Sequence, residues 1–159
     1  MQLQVLRGLG FRQVTFGVLD LDPLVQRAIG RLNSPALIDD ICQVARSCDI
    51  GSISLALMIG LPYQTPERWR VTLERLVDIA PERLRVTRYC HRPWLAPGQH
   101  AIDSDSLPDA RQCEELAAMT VRVLGQAGYR CLDNELFVLE TDELAVAAEQ
   151  KLLRRNLIA

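Results

Sequence analysis

The chain has 159 residues, 48% of them hydrophobic and 24% charged, with a formal net charge of -2. That balance suits one folded domain with its own core rather than a disordered segment, and it offers no basic face to a nucleic-acid backbone. No apolar run is long enough to cross a bilayer, and the opening MQLQVLRGLG lacks the charged start and long apolar stretch of a signal peptide, so the expected location is the cytoplasm.

In chain order, Leu3 to Leu9 reads as the last turns of a helix closed by Gly8 or Gly10, and Gln13 to Val18 alternates as a strand. Asp20 or Asp22, followed by Pro23, starts a short helix that ends near Gly30. Asn33-Ser34-Pro35 starts the next helix, with Leu37, Ile41, Ala45 and Cys48 expected on its buried stripe. Ser52 to Ile59 is a nearly continuous apolar strand, as expected where both faces of a sheet are covered. Its large residues (Ile53, Leu55, Leu57, Ile59) and small ones (Ser52, Ser54, Ala56) fall on opposite faces.

A Gly60-Leu61-Pro62 turn leads to Thr65 as N-cap and Pro66 at the first helical position, and Trp69, Leu73, Leu76, Val77 and Ala80 form the expected stripe up to Pro81. Leu84 to Tyr89 is a third strand, and the long connection from His91 to Pro108 is of a length that tends to be functional or mobile. Asp109 with Gln112 approximates a capping box for a helix running to Gly128, with Cys113, Leu116, Ala117, Thr120, Leu124 and Ala127 inward. A fourth strand spans Tyr129 to Val138, and a last helix starts at Thr141 or Asp142. Strand and helix alternate four times without a linker, which predicts an α/β fold of about four parallel strands with covering helices in a single unit over 1–159.

The five cysteines, Cys42, Cys48, Cys90, Cys113 and Cys131, are odd in number and lie in segments that read as buried; reduced core thiols are expected, not disulfides or a zinc site. His91 and His100 have no paired carboxylate nearby and read as surface residues. Asp103, Asp105 and Asp109 lack the glycine spacing of a calcium loop and read as a solvated loop with a helix cap. Tyr89 and Trp94 could face a flat ligand or pack the end of the sheet, and the sequence leaves both open.

The runs GFRQVTFGVLDLDPLVQRAIGR, MIGLPYQTPERW, PERLRVTRYCHRPW, QAGYRC and TDELAVAAEQKLLRRN together resemble the middle of oxygen-independent coproporphyrinogen III oxidase, and the RYCH form favours that enzyme over its haem-chaperone relatives. The resemblance implies a partial (β/α), TIM-like barrel of the radical S-adenosylmethionine type. It also implies S-adenosylmethionine with a 4Fe-4S cluster, and decarboxylation of two propionates of coproporphyrinogen III on the way to haem. The cluster needs a CxxxCxxC loop, which this sequence lacks.

Position by position, Leu19 stands where the family has a Gln that reaches the cofactor, Ala56 where it has Asp, and Leu136 where it has His before Phe137. Arg31 remains at the family's cofactor-contacting Arg, and Cys90 stands at a position that acts mainly through its backbone; these two are the candidate cofactor-binding residues. No catalytic residue and no metal ligand is assigned, and no cofactor is expected for this chain alone. The expected activity is therefore that of a truncated or degenerate family member, inactive by itself. A non-catalytic tetrapyrrole-binding or partner-binding module, or a gene remnant, is the alternative. The implied partners are coproporphyrinogen III, if other segments complete the barrel, and further copies of the chain through open sheet edges; neither nucleic acid nor membrane is expected.

Overall fold

The computed structural model describes residues 2–153. Arg154, Arg155 and Asn156, which close the last run of the resemblance, lie outside the described residues. The helices are α1 (Gln2–Gly8), α2 (Pro23–Ala28), α3 (Pro35–Ser47), α4 (Pro66–Ile79), α5 (Ala110–Gln126) and α6 (Glu143–Glu149). The strands are β1 (Gln13–Leu19), β2 (Ser52–Ile59), β3 (Arg83–Arg88), β4 (Tyr129–Cys131) and β5 (Leu136–Leu139).

Helix starts follow local chemistry closely. Asp22, Ser34, Thr65 and Asp142 each accept hydrogen bonds from backbone amides of the first turn, and Asp109 forms a full capping box with Gln112. Of the two acids that could start α2, Asp22 is the cap; Asp20 is buried for another purpose. The stripe of α3 is rotated by one residue from expectation: Ile38, Cys42 and Ala45 are buried, whereas Leu37 is exposed. Ala80 leaves the stripe of α4 and forms its left-handed C-cap at φ 49° and ψ 56°.

The sheet has order β1-β2-β3-β5-β4. β1, β2 and β3 are parallel, but β5 runs antiparallel to β3 and to β4. The expected fourth parallel strand is thus a hairpin, and the sheet is mixed and open. The cause is the Leu132 to Glu135 segment: the Asp133 carboxylate accepts from the amides of Glu135 and Leu136, and Asn134 takes a left-handed φ of 65°. That turn reverses the chain before the strand can continue.

One sheet face is fully packed. Leu55, Leu84 and Phe137, paired side by side across β2, β3 and β5, lie in a core with Ile53, Leu57, Ile59, Trp69, Leu73, Leu76, Leu116 and Leu124. Trp69 Nε1 donates to Thr120 Oγ1 at 2.8 Å, so the largest core side chain also ties α4 to α5. The other face is not covered as the apolar run of β2 suggests: Thr15, Gly17 and Arg85 are exposed, and Ser54, Ala56, Met58 and Leu136 are half-buried. At its lower end Arg83 is ion-paired with Asp142 at 2.8 Å and Glu143 at 3.0 Å, which fixes the start of α6 to β3.

Candidate functional site

In parallel α/β folds ligands collect at the carboxyl ends of the strands, because loops there are free to differ while the sheet holds them in place. Here the ends of β1, β2 and β3 lie side by side. Tyr89 donates its amide to Ile59 O at 2.7 Å, and Gly60, at φ +96°, lies against Tyr89 and Cys113; its positive φ and the close approach both suit glycine.

A buried polar frame sets these ends. Gln64, 3% exposed, accepts from the amides of Gly60 at 2.7 Å and Leu61 at 3.0 Å and donates to Met58 O at 2.9 Å and Asp20 Oδ2 at 2.7 Å. Asp20, 1% exposed, also accepts from Thr72 Oγ1 at 2.7 Å and the Asp22 amide at 2.8 Å. Burial pushes the Asp20 carboxyl above its ordinary value, and these hydrogen bonds oppose that push. Gln26, 4% exposed, donates to Asp20 O at 2.9 Å and Asn33 O at 2.8 Å and accepts from the Asn33 amide at 3.0 Å. The frame therefore reaches from β1 through α2 to the turn that carries Arg31.

Arg31 itself is exposed, and its Nη1 stands 4.0 Å from where a Cβ of Gly17 would be. The guanidinium thus lies over the open face of β1. Cys90 is exposed after the end of β3, and its carbonyl, not its thiol, is engaged: it accepts from Gln99 Nε2 at 3.1 Å. Cys131 is exposed as well, so the expectation of buried thiols holds for Cys42 but not for these two; Cys48 and Cys113 are half-buried. All five cysteines are unpaired, and among the described residues no three His, Cys, Asp or Glu side chains group as a metal site.

Strand parity alone places Gly17 and Leu19 on one face, but the pairing register shifts between them: Gly17 lies opposite Ala56, whereas Leu19 lies opposite Leu57 and takes a φ of 66°. A bulge at Val18 breaks the alternation. Across the open face one row runs Gly17, Ala56, Arg85, Leu136. Two of the three positions where the residues depart from the resemblance, Ala56 and Leu136, share that row.

The long connection is more ordered than a loop of its length suggests. It contains 3-10 turns at Pro97–Ala101 and Ser104–Ser106, and Tyr63 donates its amide to Ser106 O at 2.9 Å. Asp103 and Asp109 cap turns and helix, as expected. His91 is half-buried and shares a 2.8 Å hydrogen bond with Tyr89 Oη, so it is not the free surface residue anticipated; His100 is exposed. Trp94 is 72% exposed and packs no part of the sheet end.

No protein-family model matches the chain. The fold matches part of a radical SAM enzyme: the solved structure of coproporphyrinogen III oxidase from Escherichia coli, described as a radical SAM enzyme, superposes with a TM-score of 0.93 at 35% identity, over 98% of this chain and 36% of that one. In sequence the chain is similar over nearly its whole length to oxygen-independent coproporphyrinogen III oxidases. It is 40% identical to that of Pseudomonas aeruginosa over 152 residues and 33% identical to that of Thermostichus vulcanus over 150 residues. These alignments take in 96% and 94% of this chain but 33% and 46% of the relatives, so the chain spans between a third and a half of their length. Among the described residues no helix is long and apolar enough to cross a membrane.

Proposed function

We propose that this chain is a coproporphyrinogen III oxidase-like radical SAM segment: a single partial (β/α) barrel unit over 1–159, located in the cytoplasm, whose strand ends keep the scaffold of a cofactor site without its polar contacts. The family reaction is the oxidative decarboxylation of coproporphyrinogen III to protoporphyrinogen IX in haem biosynthesis; this chain by itself does not carry it out. The reading rests on one observation, the open row in which Gly17 lies opposite Ala56 with Arg31 standing over Gly17; the resemblance implies an acid at the position of Ala56. Arg31 fits a cofactor carboxylate at the β1 end, and Cys90, after the end of β3, offers a backbone contact. Leu19 and Ala56 supply neither donor nor acceptor.

The cysteines do not fit a 4Fe-4S cluster, since Cys42, Cys90, Cys113 and Cys131 belong to four different parts of the fold. The chain is therefore expected to release no 5′-deoxyadenosine from S-adenosylmethionine after anaerobic reconstitution with iron and sulfide. Its appearance above a no-protein control would overturn the reading.

A non-catalytic tetrapyrrole-binding role is the second reading, and the uncovered sheet face favours it: such a face suits a flat ligand better than a sealed core does. The same face and the unpaired edges of β1 and β4 favour self-association. Sedimentation equilibrium should show a mass above that of the monomer at micromolar concentration; a monomer at all concentrations would count against it.

A further inference from the structure

We propose that two copies of this chain pair by mutual insertion: Trp94 of each enters an apolar cleft at the carboxyl end of β3 in the other. The contact is separate from the open face and from the edges of β1 and β4, because the cleft lies on the helix-covered side of the sheet.

The cleft follows from the way β5 meets β3. β5 begins at Leu136, opposite Arg85, and the last link is the Val86 amide, which donates to Glu135 O at 2.7 Å. Beyond it the Asp133-Asn134 turn leads the chain away while β3 runs on to Arg88, so a gap stays open between β3, the turn and α5. Buried Ile59, Val86 and Phe137 form its floor, and Ala117 and Val121 of α5 form a wall. Arg88, Asn134 and Glu135, all exposed, stand at its mouth. Its volume is about 170 Å³. Sites for whole small-molecule ligands begin at roughly 300 Å³, whereas a cavity of about 150 Å³ accepts a benzene ring. One aromatic side chain is the occupant that fits.

Trp94 supplies that side chain. It is 72% exposed, with Leu95 exposed beside it. It is nonetheless held in place: the amides of Leu95 and Ala96 donate to Arg92 O, and the Gln99 side chain accepts from the Arg92 amide and donates to Cys90 O. A large apolar side chain on a fixed turn loses little conformational freedom on docking. Trp94 follows Arg88 by six residues, so it and the cleft mouth lie at the same end of the sheet, within about 20 Å of each other. A knob and a hole on one surface are what a two-fold axis between identical copies requires.

The charges agree. Arg92 is exposed and has no ion pair among the described residues. The cleft presents Glu135 at its mouth and Glu114 one helical turn before Ala117, each held only in an exposed pair, with Arg85 and Arg88 respectively. Insertion brings Arg92 toward these acids. The indole Nε1–H needs an acceptor once it leaves water, and Asn134 and Glu135 offer one at the mouth.

The test is sedimentation velocity on the wild-type chain, on Trp94→Ala and on Ala117→Phe, which fills the cleft, with thermal melts to verify folding. The wild type is expected to dimerise at micromolar concentration. Trp94→Ala is expected to raise the dimer dissociation constant by at least about thirtyfold, as loss of a tryptophan anchor does, and Ala117→Phe to act in the same direction. An equimolar mixture of the two variants is expected to form a heterodimer weaker than the wild-type dimer, since one intact Trp94 then meets one intact cleft. Iodide quenching of the wild type reads the contact without any variant, and decides the matter if Ala117→Phe fails to fold. The other tryptophan, Trp69, is buried in the core, so the quenchable emission belongs to Trp94 and should fall as protein concentration rises. If Trp94→Ala associates as tightly as the wild type and Trp94 stays quenchable, the insertion is overturned while association through the sheet stands. A wild type that remains monomeric throughout overturns both.

Discussion

Asp20 shows how much of the site depends on a residue that never meets a ligand. It accepts from Gln64, Thr72 and the Asp22 amide in a buried position, so its removal strands donors from three segments at once. Asp20→Asn should cost about 1 to 3 kcal/mol, the range for leaving a buried group unsatisfied, because the new amide presents a donor to donors. Burial raises the folded-state pKa of Asp20 above its unfolded value, so this group favours the fold most when protonated. Its contribution is full below the ordinary carboxylate value and declines as pH rises through the folded value. Melting curves taken across the acid range should therefore show the gap between wild type and Asp20→Asn narrowing as pH rises; a gap that widens would contradict the assignment. The sequence offers Asp20 only as an alternative helix start and does not mark Gln26 or Gln64, since the partners that join Asp20 to Gln64 and Thr72 lie 44 and 52 positions away and are brought together only by the sheet. A second missed feature, the bulge at Val18, is invisible to a rule of strict alternation for the same reason.

At the level of elements, the signals that were legible are local ones. Caps such as Ser34, Thr65 and Asp109 and the apolar run of β2 mark helices and a strand by interactions within a few residues, and each is found where expected. The fourth strand was misread because its apolar ends, Tyr129 and Phe137, masked the Asp133-Asn134 turn between them. The end of α4 is similar: Ala80 has an apolar side chain at helical spacing, yet it takes the left-handed conformation that lets its amide reach Leu76 O and Val77 O. A non-glycine residue pays for that conformation in strain, so Ala80→Gly is expected to raise stability by up to about 1 kcal/mol in urea denaturation. A loss of stability would show that the C-cap carries no strain.

For the whole molecule, the chain folds as an α/β layer with one sealed face and one open face; of the positions the resemblance marks, Ala56 and Leu136 lie on the open face and Arg31 over it, whereas Leu19 pairs with Leu57 beyond the bulge and Cys90 follows the end of β3. It spans only a third to a half of its relatives' length, and along that span it is similar to them at nearly every element. Three positions depart from the resemblance on or beside the open face: Leu19 after the bulge, and Ala56 and Leu136 in the row with Gly17 and Arg85. The central claim is that the scaffold of a cofactor site persists while its polar contacts do not. The most direct measurement is isothermal titration of S-adenosylmethionine into the wild-type chain and into the Leu19→Gln/Ala56→Asp double variant. No measurable binding by the wild type and a gain of binding by the variant are the expected results; wild-type binding as tight as that of the variant would contradict the claim.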